Sequence, residues 1–115
     1  MYRHGSLLIL GFMFLASGCQ KKNPADEHIQ ITMKRYAIEP AIIRVKSGET
    51  VELQITTADV EHGLDIPELG IKAPVQPGRT TTVTFKAPAR GEYTMSCGVI
   101  CGPHHDTMTG TLMVE

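Results

Sequence analysis

The segment "GEYTMSCGVICGPHHDTMTGTLMVE", Gly91–Glu115, reads as strand, loop, strand. "GEYTMSC" and "TGTLMVE" are the strands. The loop between them packs two cysteines, two histidines and a methionine into Cys97–Met108. A loop anchored at both ends in a rigid sheet keeps its place and leaves its side chains free to face a ligand. A structural disulfide would need only Cys97 and Cys101, and a catalytic thiol only one of them. The segment therefore sets two expectations: a sheet protein, and a site with several soft donors at the end of a sheet.

The β signal continues upstream. "HIQITMKRYAIEP" alternates around Ile29, Ile31 and Met33. "AIIRVKSGETVELQITTAD" holds two strand-like runs, Ile42–Val45 and Val51–Thr57, with a turn signal at Ser47-Gly48 between them. "RTTTVTFKAP" is rich in Thr and Val, which strands favour. Prolines 40, 67, 74, 77, 88 and 103 punctuate the connections, and no stretch from His28 onward keeps a helical period over three turns. Short strands at regular spacing predict one antiparallel sandwich or barrel.

The first residues are a different material. "MYRHGSLLILGFMFLASGC" has a short basic start at Arg3 and His4, an apolar run from Leu7 to Ala16, and a small-residue end. This order predicts a secretory signal, and the run is too short for a membrane span of about 20 residues. "LASGC" resembles the bacterial lipobox, although Ala16 stands where Leu is commoner. That resemblance implies cleavage after Gly18 and lipid on Cys19. Residues 1–18 are then a lipoprotein signal peptide, 19–27 ("CQKKNPADE") a polar tether, and 28–115 the folded domain. The expected location is outside the cytoplasm, lipid-anchored to a bacterial membrane, in the periplasm or on the outer face of the cell membrane. Plain signal cleavage, leaving Cys19 unlipidated, is the alternative.

The 115 residues suit a single domain, and 11 basic against 12 acidic residues leave the charge nearly balanced. No basic run interleaved with aromatics appears, so nucleic acid is excluded as an expected partner. In an oxidising compartment Cys97 and Cys101 could pair as a disulfide. That would leave His105, Met108 and the distant His62 of "DVEHGLDIP", placed by this reading in a loop between strands, without a role. Thiolate, imidazole and thioether together form a soft set that favours copper over calcium or magnesium. His104 lies off the register and His28 beside the tether, so both are expected at the surface.

At this point the chain resembles the cupredoxin domain of cytochrome c oxidase subunit II, which carries the dinuclear copper A centre. The matching segments are "DVEHGLDIPELGIK", "VQPGRTTTVTFKAP", "GEYTMSCGVICGPHHDTM" and "TGTLMVE", with "IEPAIIRVKSGETVELQIT" resembling the opening strands. The resemblance implies an all-β, cupredoxin-like Greek-key sandwich and a metal site of six groups. Cys97 and Cys101 would bridge two copper ions, with His62 and His105 as terminal ligands. Met108 and the backbone carbonyl of Val99 would be weak axial ligands. Bridging thiolates spread one electron over both metals, so each bond changes little on reduction.

Two departures argue against an ordinary oxidase assembly, so the resemblance carries over the site but not the partner. Val99 replaces the usual Glu, whose carboxylate in the oxidase also serves a magnesium site shared with the catalytic subunit. Trp, which marks the electron-accepting surface of the oxidase subunit, is absent, and no two-helix membrane hairpin is read. The resemblance implies an electron carrier rather than an enzyme on its own, working with a c-type cytochrome or a terminal oxidase. Glu61, Asp65, Glu68 and Asp106 could form an acidic face toward a basic cytochrome, or a scattered solvated surface. A copper chaperone is the alternative function. A single-copper blue protein would leave the second cysteine unexplained.

Overall fold

Val51, Leu53 and Ile55 alternate with Glu52, Gln54 and Thr56. A period of two sends the first set to one face of a strand and the second set to the other. The computed structural model, which describes residues 25–115, shows that outcome. Val51, Leu53 and Ile55 are wholly buried and their polar neighbours are partly exposed. The strands are β1 (Glu27–Lys34), β2 (Ala37–Glu39), β3 (Ile42–Val45), β4 (Thr50–Thr57), β5 (His62–Ile66), β6 (Ile71–Val75), β7 (Thr81–Lys86), β8 (Gly91–Cys97) and β9 (Thr109–Val114). Short 3₁₀ turns occupy Pro67–Leu69 and His105–Thr107.

Two sheets form, in the orders β2-β1-β4-β7 and β3-β9-β8-β5-β6. Their inner faces interdigitate as in other β-sandwiches. Ile31, Leu53 and Ile55 come from the first sheet and Leu64, Met95 and Leu112 from the second, all essentially without solvent contact. Each such side chain contributes roughly 1.5–3 kcal/mol of burial.

The sandwich is not purely antiparallel. β1 runs parallel to β4, with Ile31 opposite Ile55, and β3 runs parallel to β9, with Ile43 opposite Leu112. Parallel neighbours need a crossover. β3 supplies the first one, because the chain leaves β2, joins the other sheet as β3, and returns as β4. The Ser47-Gly48 turn makes that return possible. Gly48 has φ +84°, a region open to glycine, and its amide donates to the Ala87 carbonyl at 3.0 Å.

Three strands escaped the sequence reading: β2, which the run "HIQITMKRYAIEP" did not separate from β1, and β5 and β6. "HGLDI" and "IKAPV" form β5 and β6, an antiparallel pair at the edge of the second sheet. "HGLDI" buries His62, Gly63, Leu64 and Ile66, so it carries little polar alternation to reveal it. Gly91–Cys97 behaves as its pattern requires. Met95 and Cys97 are buried on the same face, alternating with Thr94 and Ser96. The periodicity that fills the core thus delivers a thiol to the end of it.

The Arg35–Tyr36 and Glu39–Pro40 peptide bonds are cis. Among the described residues no helix is long and apolar enough to cross a membrane. The signal segment and Cys19 lie outside the described residues.

Candidate metal centre

Cys97 closes β8, and Val99, Cys101, His105 and Met108 follow on the loop to β9. His62 is the first residue of β5, not a loop residue, and is completely buried. Antiparallel pairing sets Leu64 of β5 opposite Cys97 of β8, so His62 reaches the end of the strand that carries the thiol.

Two groups of donor atoms result. In the first, Cys97 Sγ lies 3.8 Å from His62 Nδ1 and 3.1 Å from the Val99 carbonyl oxygen. In the second, Cys101 Sγ lies 4.0 Å from His105 Nδ1 and 3.4 Å from Met108 Sδ. The two sulfurs stand 4.0 Å apart and join the groups. Both cysteines are free thiols, at about twice the S–S bond length of a disulfide. Cys97, Cys101 and Met108 are buried, while His105 is partly exposed in its 3₁₀ turn. The donor atoms of His62, Cys97 and Cys101 all lie within 4.8 Å of one another.

The histidine on β5 is oriented from behind. Its Nε2 donates to Asp59 Oδ1 at 2.7 Å, which leaves the Nδ1 lone pair aimed at the sulfurs. A carboxylate on the far nitrogen is the usual device for fixing the tautomer of a ligating imidazole. Asp59 also accepts from the amides of Arg35 at 2.8 Å and Val60 at 2.6 Å. The Arg35 amide, then that of Val60 and the His62 ring, hold its carboxyl well below the usual carboxylate range against the opposing effect of desolvation. Burial, and next the neighbouring Cys97, push the Cys101 thiol up. A metal taken up here must displace that proton.

The sequence reading missed Asp59, Arg35 and Tyr36. The D-x-x-H spacing of Asp59 and His62 was a usable signal for an orienting carboxylate. Nothing in the sequence pointed to Arg35, which bonds the Cys101 carbonyl across 66 residues. His104 is exposed and meets Tyr36 edge-on, and His28 pairs at 3.4 Å with Glu52 on an exposed surface. The acidic residues do not act alike. Glu61, Glu68 and Asp106 are exposed, whereas Asp65 is partly buried against Gly98.

A family model described as a cupredoxin-like domain matches residues 6–114. The chain belongs to the cupredoxin-like family. This cupredoxin-like chain is 32% identical over 102 residues to cytochrome c oxidase subunit 2 of Thermus thermophilus, covering 87% of itself and 74% of that protein. It is 32% identical over 84 residues to a probable cytochrome c oxidase subunit 2 of Rickettsia conorii, there covering 73% of itself and only 27% of the longer relative. The periplasmic domain of subunit II of cytochrome oxidase from Bradyrhizobium japonicum has the same fold. Its TM-score is 0.74 at 24% identity, over 80% of this chain and 86% of that one. A mixed disulfide intermediate between a thioredoxin-like protein and subunit II of cytochrome c oxidase also matches, at TM-score 0.69 and 23% identity, over 84% and 86% of the two chains. The cupredoxin-like domain is therefore homologous to oxidase subunit II.

The donor set fits copper. It combines thiolate, imidazole and thioether, which suit copper and exclude hard cations. Donor separations of 3.1–4.0 Å bring the groups close enough to share bound ions.

Proposed function

We propose that this domain carries a dinuclear copper A-type centre and relays single electrons, taking them from a donor such as a c-type cytochrome and passing them to a terminal oxidase. The division of the donors carries this reading. Each sulfur has its own imidazole, and each group has one weaker donor, the Val99 carbonyl or the Met108 thioether. That arrangement supports two ions joined through two sulfurs better than one ion with surplus ligands. His62, Cys97, Cys101, His105, Met108 and the Val99 carbonyl would hold the metal. Copper bound there would supply a one-electron couple. The chain's own part is to keep the geometry constant between oxidation states. β5 and β8 fix His62 and Cys97, Asp59 fixes the imidazole, and burial keeps water from the sulfurs. With every position filled by protein, the domain has no place for a substrate and serves a larger oxidase system as the component through which electrons enter.

The test is copper content together with the paramagnetic resonance spectrum of the loaded protein. Two coppers per chain and seven hyperfine lines, from one electron shared by two copper nuclei, are expected. One copper with four lines, readily surrendered to an acceptor, would replace this reading with a copper-handling role. Loading requires reduced thiols. The mixed disulfide formed by a subunit II relative and a thioredoxin-like protein supports a reductant of that class acting on Cys97 and Cys101 before copper enters.

The address is part of the proposal. Cleavage after Gly18 and lipid on Cys19 would tether the domain to a membrane through the residues between Cys19 and the start of β1 at Glu27. More than one acyl chain would be needed for lasting attachment. Mass spectrometry of native protein should find a diacylated or triacylated Cys19. A soluble chain with unmodified Cys19 would sink this part alone.

A further inference from the structure

The donor-bearing loop is tied to the sandwich at its base. The Gly98 amide donates to the Gly63 carbonyl at 2.8 Å, and the Cys97 amide to the Met108 carbonyl at 3.2 Å. Beyond that, from Val99 to His104, one hydrogen bond among the described residues comes from outside the Cys97–Met108 segment. Arg35 Nε donates it to the Cys101 carbonyl at 2.8 Å. Arg35 belongs to the two-residue turn between β1 and β2, in the opposite sheet.

The other turn residue adds two contacts. The Tyr36 ring meets His104 edge-on, with centroids 5.1 Å apart. Its hydroxyl lies so close to Gly102 that a Cβ there would collide with the oxygen. Gly102 also has φ +152°, a backbone angle that residues other than glycine rarely adopt. The same turn reaches the His62 side, because the Arg35 amide binds Asp59, which in turn binds His62. Ile100 of the same loop is 85% exposed.

We propose that the Arg35–Tyr36 turn is a clasp over the metal loop, and that Arg35 is a positioning residue holding Cys101 while its positive charge favours the reduced centre. The proposal rests on the copper reading above, but the contacts that carry it do not depend on the number of coppers. Restraint from outside keeps the Cys101 half of the site in register with the Cys97 half, which β8 already fixes. The charge argument follows from Coulomb's law. A cation beside the site stabilises the form with one more electron, so its removal lowers the reduction potential. Arg35 is exposed, so salt should shrink that shift.

The test compares the full chain with its Arg35→Met and Arg35→Lys variants. Three quantities are measured: copper loss to a chelator, midpoint potential at low and high salt, and melting of the copper-free protein. Arg35→Met should lose copper about tenfold faster, the low end for groups that support metal ligands. Its potential should fall, less so at high salt. Arg35→Lys should restore the potential through its charge but not the retention, because an ammonium lacks the fixed Nε geometry. Copper-free melting should be unchanged in both. A Met variant that matches the parent in copper loss and potential would overturn the proposal. So would an equal loss of stability in the copper-free variant, which would make Arg35 a part of the fold alone. A one-copper parent would end the dinuclear reading, yet the parent-to-variant comparison would still decide the clasp.

Discussion

Cys97→Ser and Cys101→Ser should each reduce copper from two ions per chain to one or none, and no seven-line spectrum should survive in either. The arrangement of donors says why the loss exceeds that of one ligand. Cys97 Sγ serves the His62 and Val99 side and Cys101 Sγ the His105 and Met108 side, and the 4.0 Å approach of the two sulfurs links them. A serine hydroxyl is a hard, protonated oxygen and a poor substitute for thiolate toward copper. Cys97→Ser leaves the first group with one imidazole and one carbonyl, too little to retain a soft metal. Cys101, His105 and Met108 then remain as a mononuclear set, so any copper retained should give four lines. Cys101→Ser leaves its own group with an imidazole and a thioether only. The fold should persist, because Ser and Cys are nearly equal in size and burying one hydroxyl costs about 1–3 kcal/mol. Metal analysis and resonance spectra after reducing reconstitution provide the check. Two coppers and seven lines in either variant would show that the sulfurs do not bridge.

How much of this was legible in the sequence depends on how local the signal was. Alternation marked Ile29, Ile31 and Met33, and Val51–Thr57 read as a strand-like run, because those strands have one dry face and one wet face. It failed for His62–Ile66, where four of five residues are buried and the period of two disappears. The parallel pairing of β1 with β4 and β3 with β9 was invisible because pairing direction is decided by crossovers between sheets. The spacing of Cys97, Cys101, His105 and Met108 was legible because one loop carries all four. His62 was read as a distant histidine that could close the site, the family resemblance gave it a ligand's role, and its surroundings were found only in three dimensions. Asp59 lies three residues from His62 and could have been suspected. Arg35 and Tyr36 act on the loop across the gap between the sheets, a relation that no sequence window contains.

The two histidines should separate the metal's requirements from the fold's. His62→Ala and His105→Ala each remove one imidazole from one sulfur, so each should release at least one copper and abolish the seven-line spectrum. Their copper-free proteins should differ. His62 is fully buried, and its Nε2 makes a 2.7 Å bond to a carboxylate already bound to two backbone amides. Truncation leaves a void at the end of the core and withdraws a donor from Asp59. Emptying a large buried side chain costs roughly 2–5 kcal/mol. For a domain of this size each kcal/mol lowers the melting temperature by about 4–8 °C. His105 sits in a short 3₁₀ turn with its side chain 20% exposed, and its closest carboxylate, on exposed Asp106, is 4.0 Å away. Its truncation should cost the copper-free protein about 1 kcal/mol or less, as is usual for substitutions away from the core. Thermal melting of both copper-free variants, beside copper analysis of the loaded ones, tests this asymmetry. Equal melting temperatures would mean that His62 does not support the core it is buried in. Two coppers retained in His105→Ala would remove His105 from the metal site and leave the Cys101 group without its imidazole.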